Sequence, residues 1–171
     1  MKIQTYRQVD NWDKGTELYE GDVLEKALVH NEGLLHKSAH LLIVNSQGEI
    51  LCRKRSNSEK RYSSLWTTTI GTHVELGLNY LETLRRNMPS EMVTKFLGEF
   101  RVKDLFENEI CGLHVTLFES KTIPDDFLKD RCFFNRDDLE ESISEGRTTP
   151  HLTEATRLLG EKWTKKIIIW L

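Results

Sequence analysis

An α+β fold with a mixed sheet between helices is predicted by three features of this chain of 171 residues. Ser38 to Asn45 is an apolar run long enough for a buried strand; a Ser46-Gln47-Gly48 turn and a second strand, Glu49 to Arg53, follow it. Trp66 to Met92 passes from Thr- and Ile-rich, strand-like residues through a turn with Gly71 and Gly77 into Leu81, Leu84, Arg85, Arg86 and Met88 at helical spacing. Thr149-Pro150 opens a closing amphipathic helix expected to reach Lys166. A sheet and amphipathic helices each have an apolar face to bury, and stacking them in layers buries both.

From the beginning, residues 3 to 9 alternate as a strand does, Asp10 to Gly15 is a turn, and Glu17 to Tyr19 returns as the partner. Asp22 is expected to cap a short helix, Val23 to His30, by accepting from the first free N–H groups. After the central helix come strands Glu99 to Lys103 and Ile110 to Phe118, then a strand Arg131 to Phe134 and an acidic helix Asp137 to Ile143. The organisation expected is one domain over 1–171, with an N-terminal hairpin (1–20), a core (21–145) and the C-terminal helix (149–166). The apolar tail, Ile167 to Leu171, is expected to pack on the sheet or on a second subunit, which would make a homodimer.

Composition narrows the function classes. With 38% hydrophobic and 30% charged residues the chain can bury a sizeable core, and a net charge of −3 gives no reason to expect a nucleic-acid partner. There is no run of eighteen apolar residues, and the start MKIQTYRQVD has no apolar signal region. Cys52, Cys111 and Cys132 have no paired spacing and read as reduced thiols. Together these predict a soluble cytoplasmic protein without a membrane partner.

Three stretches carry candidate chemistry. A strand feeding a glycine loop that opens a helix can present backbone N–H groups and acidic ligands to a metal-bound phosphate. Arg53-Lys54-Arg55, with Lys60 and Arg61 behind, is a solvated basic loop or, as a group, a grip for phosphate oxygens. Glu107-Asn108-Glu109 places two carboxylates on one side if the segment is extended, and is otherwise a polar turn.

The central stretch resembles the box of the Nudix superfamily, G-x5-E-x7-R-E-U-x-E-E-x-G-U. With Thr72 at the opening glycine, the chain keeps Gly71, His73-Val74-Glu75, Gly77, Arg86, Met88 and Glu91; Leu78, Asn87, Ser90 and Val93 replace a glutamate, two glutamates and the closing glycine. The resemblance implies a Nudix-like α/β/α sandwich. In that superfamily the helical carboxylates hold divalent ions that bridge phosphates. Lys26 with His30, GLLH ending in His36, NSQGEILCRKR, SLWTTT, His73 and the run Glu107 to Cys111 are more specifically similar to type I isopentenyl-diphosphate isomerases, over roughly residues 16 to 120. That family implies one divalent metal held by His30, His36, His73, Glu107 and Glu109. It also implies a second Mg2+ with Glu91 at the diphosphate, and Lys26 and Arg55 at its oxygens. Lys60 and Arg86 join these as expected substrate contacts. Imidazole with carboxylate suits zinc or manganese, while carboxylate and phosphate oxygens suit Mg2+.

The family's catalytic cysteine falls on Gly71, its assisting tyrosine finds no counterpart in Phe100 to Lys103, and its late tryptophan falls near His151. Cys111 reads as a buried small residue, and His40 and His114 as ordinary histidines. Three functions follow. The first is a divergent metal-dependent Nudix hydrolase acting on a small diphosphate compound, with Glu107 or Glu109 as the base for water. The second is an isomerase-like enzyme, and the third a catalytically silent diphosphate-binding module.

Overall fold

The computed structural model describes residues 1–11, 15–118 and 123–160. Its centre is the apolar run, as β3, His36–Val44, in which every residue except Lys37 is buried. A strand buried on both faces reads as a nearly unbroken apolar string because neither face meets water. One edge of β3 runs parallel to β8, Asn108–Leu117, with His36 opposite Glu109 and Val44 opposite Leu117. Its other edge takes three antiparallel partners in turn: β1, Lys2–Asn11; β6, Ile70–His73; and β4, Ile50–Lys54. Outside these lie β2, Gly15–Glu25, on β1, β7, Lys95–Lys103, on β8, and both β5, Trp66–Thr67, and β9, Arg131–Phe134, on β4.

Alternation along β3 sends its side chains to two cores. Leu42 and Val44, with Leu113 and Val115 of β8, pack under Leu139 of α4, Arg136–Ser144, and Leu152, Ala155 and Leu159 of α5, Pro150–Leu159. Ala39, Leu41 and Ile43 pack on the opposite face with Ile70, Ile123 and Leu84 of α2, Tyr80–Arg85. The expected sandwich with a mixed sheet is therefore present. Its helices are capped as their sequences direct: Thr149 Oγ1 accepts from the N–H of Leu152 ahead of Pro150, and Asn79 with Glu82 forms a capping box on α2.

Several boundaries differ from expectation. Asp22 caps nothing: it lies inside β2, which stays paired with β1 as far as Glu25 opposite Lys2, and α1 is only Lys26–Asn31. Pairing along an eleven-residue strand outweighs a weakly nucleated short helix. The central helix was expected to run through Met88; α2 stops at Arg85, because Pro89 has no N–H and its ring would meet the Arg85 carbonyl. A four-residue helix, α3, Asp125–Leu128, was not anticipated. The closing helix is described as far as Gly160, so its expected reach to Lys166 and the apolar tail from Ile167 lie outside the described residues. All three cysteines are free, Cys52 and Cys111 buried.

Candidate functional site

The α5 face of the sheet is apolar at one end and polar at the other. The same alternation that buries Leu42 and Val44 puts His36, Ser38 and His40 on this face, and in β8 it puts Glu109 and Cys111 beside Leu113 and Val115. On β6, His73 sits opposite Ser38 and Gly71 opposite His40, so both share the face. His30 comes from α1 and His151 from the first turn of α5. His30, Ser38, His40, Gly71, His73, Glu109 and His151 line a cavity of about 800 Å3 whose other wall is basic, with Lys26, Arg53, Arg55, Lys60 and Arg61.

Glu109 is the centre of the arrangement. Its Oε1 lies 3.2 Å from both His36 Nε2 and His73 Nε2, while its Oε2 accepts from His151 Nε2 at 3.1 Å. His30 Nδ1 lies 3.0 Å from Glu107 Oε2, and the three rings of His30, His36 and His73 have centroids 4.7 to 5.2 Å apart. Burial would push the Glu109 carboxyl up, but the hydrogen bond of His151 and the close imidazoles of His36 and His73 outweigh it and hold it well below the carboxylate range. For His36, burial lowers the imidazole and the Glu109 carboxylate more than offsets it, leaving a net rise. Burial wins at His73, which is lowered.

Do these residues fit a metal? His36 Nε2, His73 Nε2 and Glu107 Oε2 are buried without a hydrogen-bond partner, although each lies at ion-pair distance from a neighbour; their alignment is wrong for a hydrogen bond. Buried polar atoms are nearly always paired, and three unpaired ones converging is what a cation site needs. His36 Nδ1 donates to the Leu34 carbonyl at 2.8 Å, which turns Nε2 toward the cluster and fixes the ring as metal-ligating histidines are usually fixed. His30, His36, His73 and Glu107 offer donor atoms within 4.8 Å of one another, with Glu109 Oε1 beside them. Imidazole and carboxylate in these proportions suit a divalent ion of the zinc or manganese type.

The other side of Glu109 is a closed network. Thr68 donates to the Ile70 carbonyl and its Oγ1 lies 2.9 Å from His40 Nδ1, while His40 Nε2 lies 3.1 Å from Ser38 Oγ, whose one proton serves either that nitrogen or Cys111 Sγ. Ser38 Oγ is also 3.2 Å from Cys111 Sγ, which lies 3.8 Å from Glu109 Oε2. Burial first, then His151, pushes His40 down to about 3, and burial with the Glu109 charge pushes the Cys111 thiol well up. Cys111 is thus a buried neutral thiol, as its sequence context suggested, and no stand-in for a reactive cysteine.

Of the expected site residues, the fold brings together His30, His36, His73, Glu107 and Glu109, with Lys26, Arg55 and Lys60 on the cavity wall. Arg55 is half committed, its Nη2 2.6 Å from Glu59. Glu91 is not brought to the cluster; it is exposed in the non-helical stretch after α2, where Pro89 has ended the helix. Arg86 also stands apart from the cavity, paired at 2.8 Å with Glu75. Of the two proposed bases, Glu109 has imidazole nitrogens 3.1 to 3.2 Å from both oxygens, whereas Glu107 has His30 Nδ1 3.0 Å from Oε2 and Arg61 Nη1 3.0 Å from Oε1. Sequence reasoning missed His151 and His40. Their signal is faint: a histidine just after a Thr-Pro helix start, and one at the even spacing of His36 and Ser38.

No family model matches the chain. Among curated proteins it is 32% identical over 105 residues to an isopentenyl-diphosphate Delta-isomerase of Serratia proteamaculans, covering 56% of this chain and 59% of that protein. It is 28% identical over 114 residues to the enzyme of that name from Burkholderia multivorans, covering 60% and 64%. The match thus spans less than two thirds of those relatives' length. Solved structures share the fold: one from Deinococcus radiodurans (TM-score 0.62, 16% identity, 92% of this chain and 98% of that one), the MutT protein of Methanosarcina mazei (0.58, 17%, 75% and 95%) and a Nudix hydrolase of Nitrosomonas europaea (0.55, 10%, 75% and 90%). The chain has the Nudix fold, and over more than half of its length it is similar in sequence to isopentenyl-diphosphate Delta-isomerases.

Proposed function

We propose that this protein is a metal-dependent enzyme of the Nudix type that acts on a small diphosphate compound, by hydrolysis of its phosphoanhydride. The carrying observation is the set of buried, unpartnered donor atoms of His36, His73 and Glu107, the last two lining a cavity with a basic wall. A bound divalent ion supplies positive charge at phosphate oxygens and a more acidic water. Lys26, Arg55 and Lys60 bind the remaining oxygens, and the Glu107 carboxylate, whose Oε2 would face the ion, takes the proton from water on its other oxygen, Oε1. Glu109, clamped by three imidazoles, orients rather than reacts.

A second reading, isomerisation of isopentenyl diphosphate, is favoured by the names of the relatives and by the retained donor set. Against it stands Gly71: it has no proton to give, and a Cβ there would lie 3.0 Å from His40 Cε1. Elemental analysis of the purified protein, followed by incubation with Mn2+ or Mg2+ and isopentenyl diphosphate in deuterated water, tests both. Phosphate release supports hydrolysis, and deuterium in recovered substrate supports isomerisation. A bound metal with neither product leaves a diphosphate-binding module, and a protein that takes up no divalent ion overturns the proposal. A cytoplasmic location is part of this reading; no described helix is long and apolar enough to cross a membrane.

A further inference from the structure

Arg61 has a position that none of these roles explains. Its Nη1 donates to His30 Nδ1 at 2.7 Å, to Glu107 Oε1 at 3.0 Å and to the Phe106 carbonyl at 2.9 Å. A guanidinium has donors only, so His30 turns its Nδ1 lone pair toward Arg61, and the same atom faces Glu107 Oε2 at 3.0 Å. The positive charge thus sits on two of the donor groups that the histidine cluster offers a cation.

The seat is built rather than accidental. Tyr62, next in the chain, has φ 50, a left-handed conformation uncommon for a residue with a side chain. Its hydroxyl donates to Asp104 Oδ2 at 2.5 Å, and Asp104 Oδ1 accepts the N–H groups of Phe106 and Glu107. The loop carrying Arg61 is therefore fastened to the turn carrying Glu107. Arg61 also lines the cavity, with its side chain 28% exposed, so it has open space to turn into.

We propose that Arg61 is a resident counter-cation of His30 and Glu107 that a divalent metal displaces, and that the released guanidinium then binds the phosphate oxygens of the ligand. A metal ion and a guanidinium repel each other and compete for one carboxylate. Once turned toward the basic wall, the planar fork matches phosphate geometry as a lysine would not. Metal binding and diphosphate binding are then coupled through one side chain: the residue that opposes the first promotes the second. This inference rests on the metal reading above.

The test compares wild type with Arg61→Gln by calorimetric titration, first with Mn2+ alone and then with inorganic pyrophosphate on the Mn2+-loaded protein. The variant is expected to bind Mn2+ about tenfold more tightly and pyrophosphate about tenfold more weakly, changes of opposite sign. Weaker or unchanged Mn2+ binding overturns the proposal, since a residue that merely props Glu107 would give that result; so does unchanged pyrophosphate affinity. Should Arg61→Gln not fold, Arg61→Lys keeps the charge and loses the fork: pyrophosphate affinity is expected to drop, and an unchanged value overturns the idea. Wild type that takes up no Mn2+ removes the metal reading itself, a different failure from equal affinity in wild type and variant.

Discussion

The two oxygens of Glu109 face two clusters of the same residue types with opposite bonding. On the Oε1 side, His36 Nε2 and His73 Nε2 converge without hydrogen bonds; on the Oε2 side, His151, Cys111, Ser38, His40 and Thr68 are linked to Glu109 and to one another by hydrogen bonds. Both are groups that can offer metal donors within 4.8 Å of one another. What separates them is whether the lone pairs are already used. A donor set whose bonds are complete is a scaffold, and one whose bonds are open is a place for a cation.

The largest effect should come from filling or emptying the open side. If a divalent ion binds there, saturating metal at a thousand times its dissociation constant stabilises the fold by about 4 kcal/mol, and chelation removes that stability. His73→Ala should lower bound metal well below one per chain while the protein stays folded. Equal metal content in wild type and variant, read by elemental analysis, would erase the distinction between the two clusters.

A smaller effect is expected on the closed side. His151→Ala leaves Glu109 Oε2 with only the weak Cys111 thiol as donor, which should weaken metal binding by about tenfold without abolishing it. Buried removal of a charge-assisted hydrogen bond also costs about 1–3 kcal/mol of stability, read from urea unfolding of the metal-free protein. His151→Ala that empties the site as completely as His73→Ala would make His151 a ligand and the network part of the metal centre.

Gly71→Cys probes the border between the clusters. The glycine has no positive φ, so the backbone accepts a side chain; the cost is contact with His40, about 1–3 kcal/mol. In a His40→Ala background that cost should largely vanish, and additivity of the two changes would show that the ring is not what excludes a side chain there.

Proton linkage gives a comparable but pH-limited effect. His40 is held down to about 3, by burial first and then by His151 and His73 against the opposing charge of Glu109. Below about pH 6.5 the unfolded chain takes up a proton that the folded chain refuses until about pH 3. This site's contribution to stability is therefore complete above pH 6.5 and is lost as pH falls, at up to about 1.4 kcal/mol per pH unit. His40→Gln should show a shallower acid decline in urea midpoints between pH 7 and pH 4, and an identical slope would mean that the ring is protonated in the fold.

Much of this was legible in the chain. The apolar run 38–45 gave the central strand, because burial on both faces leaves a composition signature, and Thr149-Pro150 gave the start of α5, because cap and ring both act locally. The Oε1 cluster was reached through family resemblance, not through spacing: His30, His36, His73 and Glu109 come from four elements whose meeting depends on the β3–β8 and β3–β6 pairings. The family's late tryptophan pointed to the neighbourhood of His151, but its bond to Glu109 was not legible for the same reason, since that partner lies 42 residues away in the chain. Glu91 failed differently. The box pattern needs a continuous helix, and Pro89, four residues after the last helical residue and two before Glu91, was a local fact outweighing the pattern.

The smallest expected effect is none at all. On the box pattern alone, Asn87→Glu with Ser90→Glu should rebuild a helical carboxylate set and raise Mg2+-dependent cleavage. The helix ends at Arg85, however, and Asn87 is in the turn beyond it, its side chain donating to the Thr83 carbonyl at 3.0 Å. Ser90 Oγ is buried without a partner, so a carboxylate placed there would meet desolvation rather than a metal. Phosphate release by the double variant should match that of wild type. A rise would mean that the segment from 86 to 92 winds into helix when metal and diphosphate are present, and that a second cation site stands on the other side of the cavity from His73.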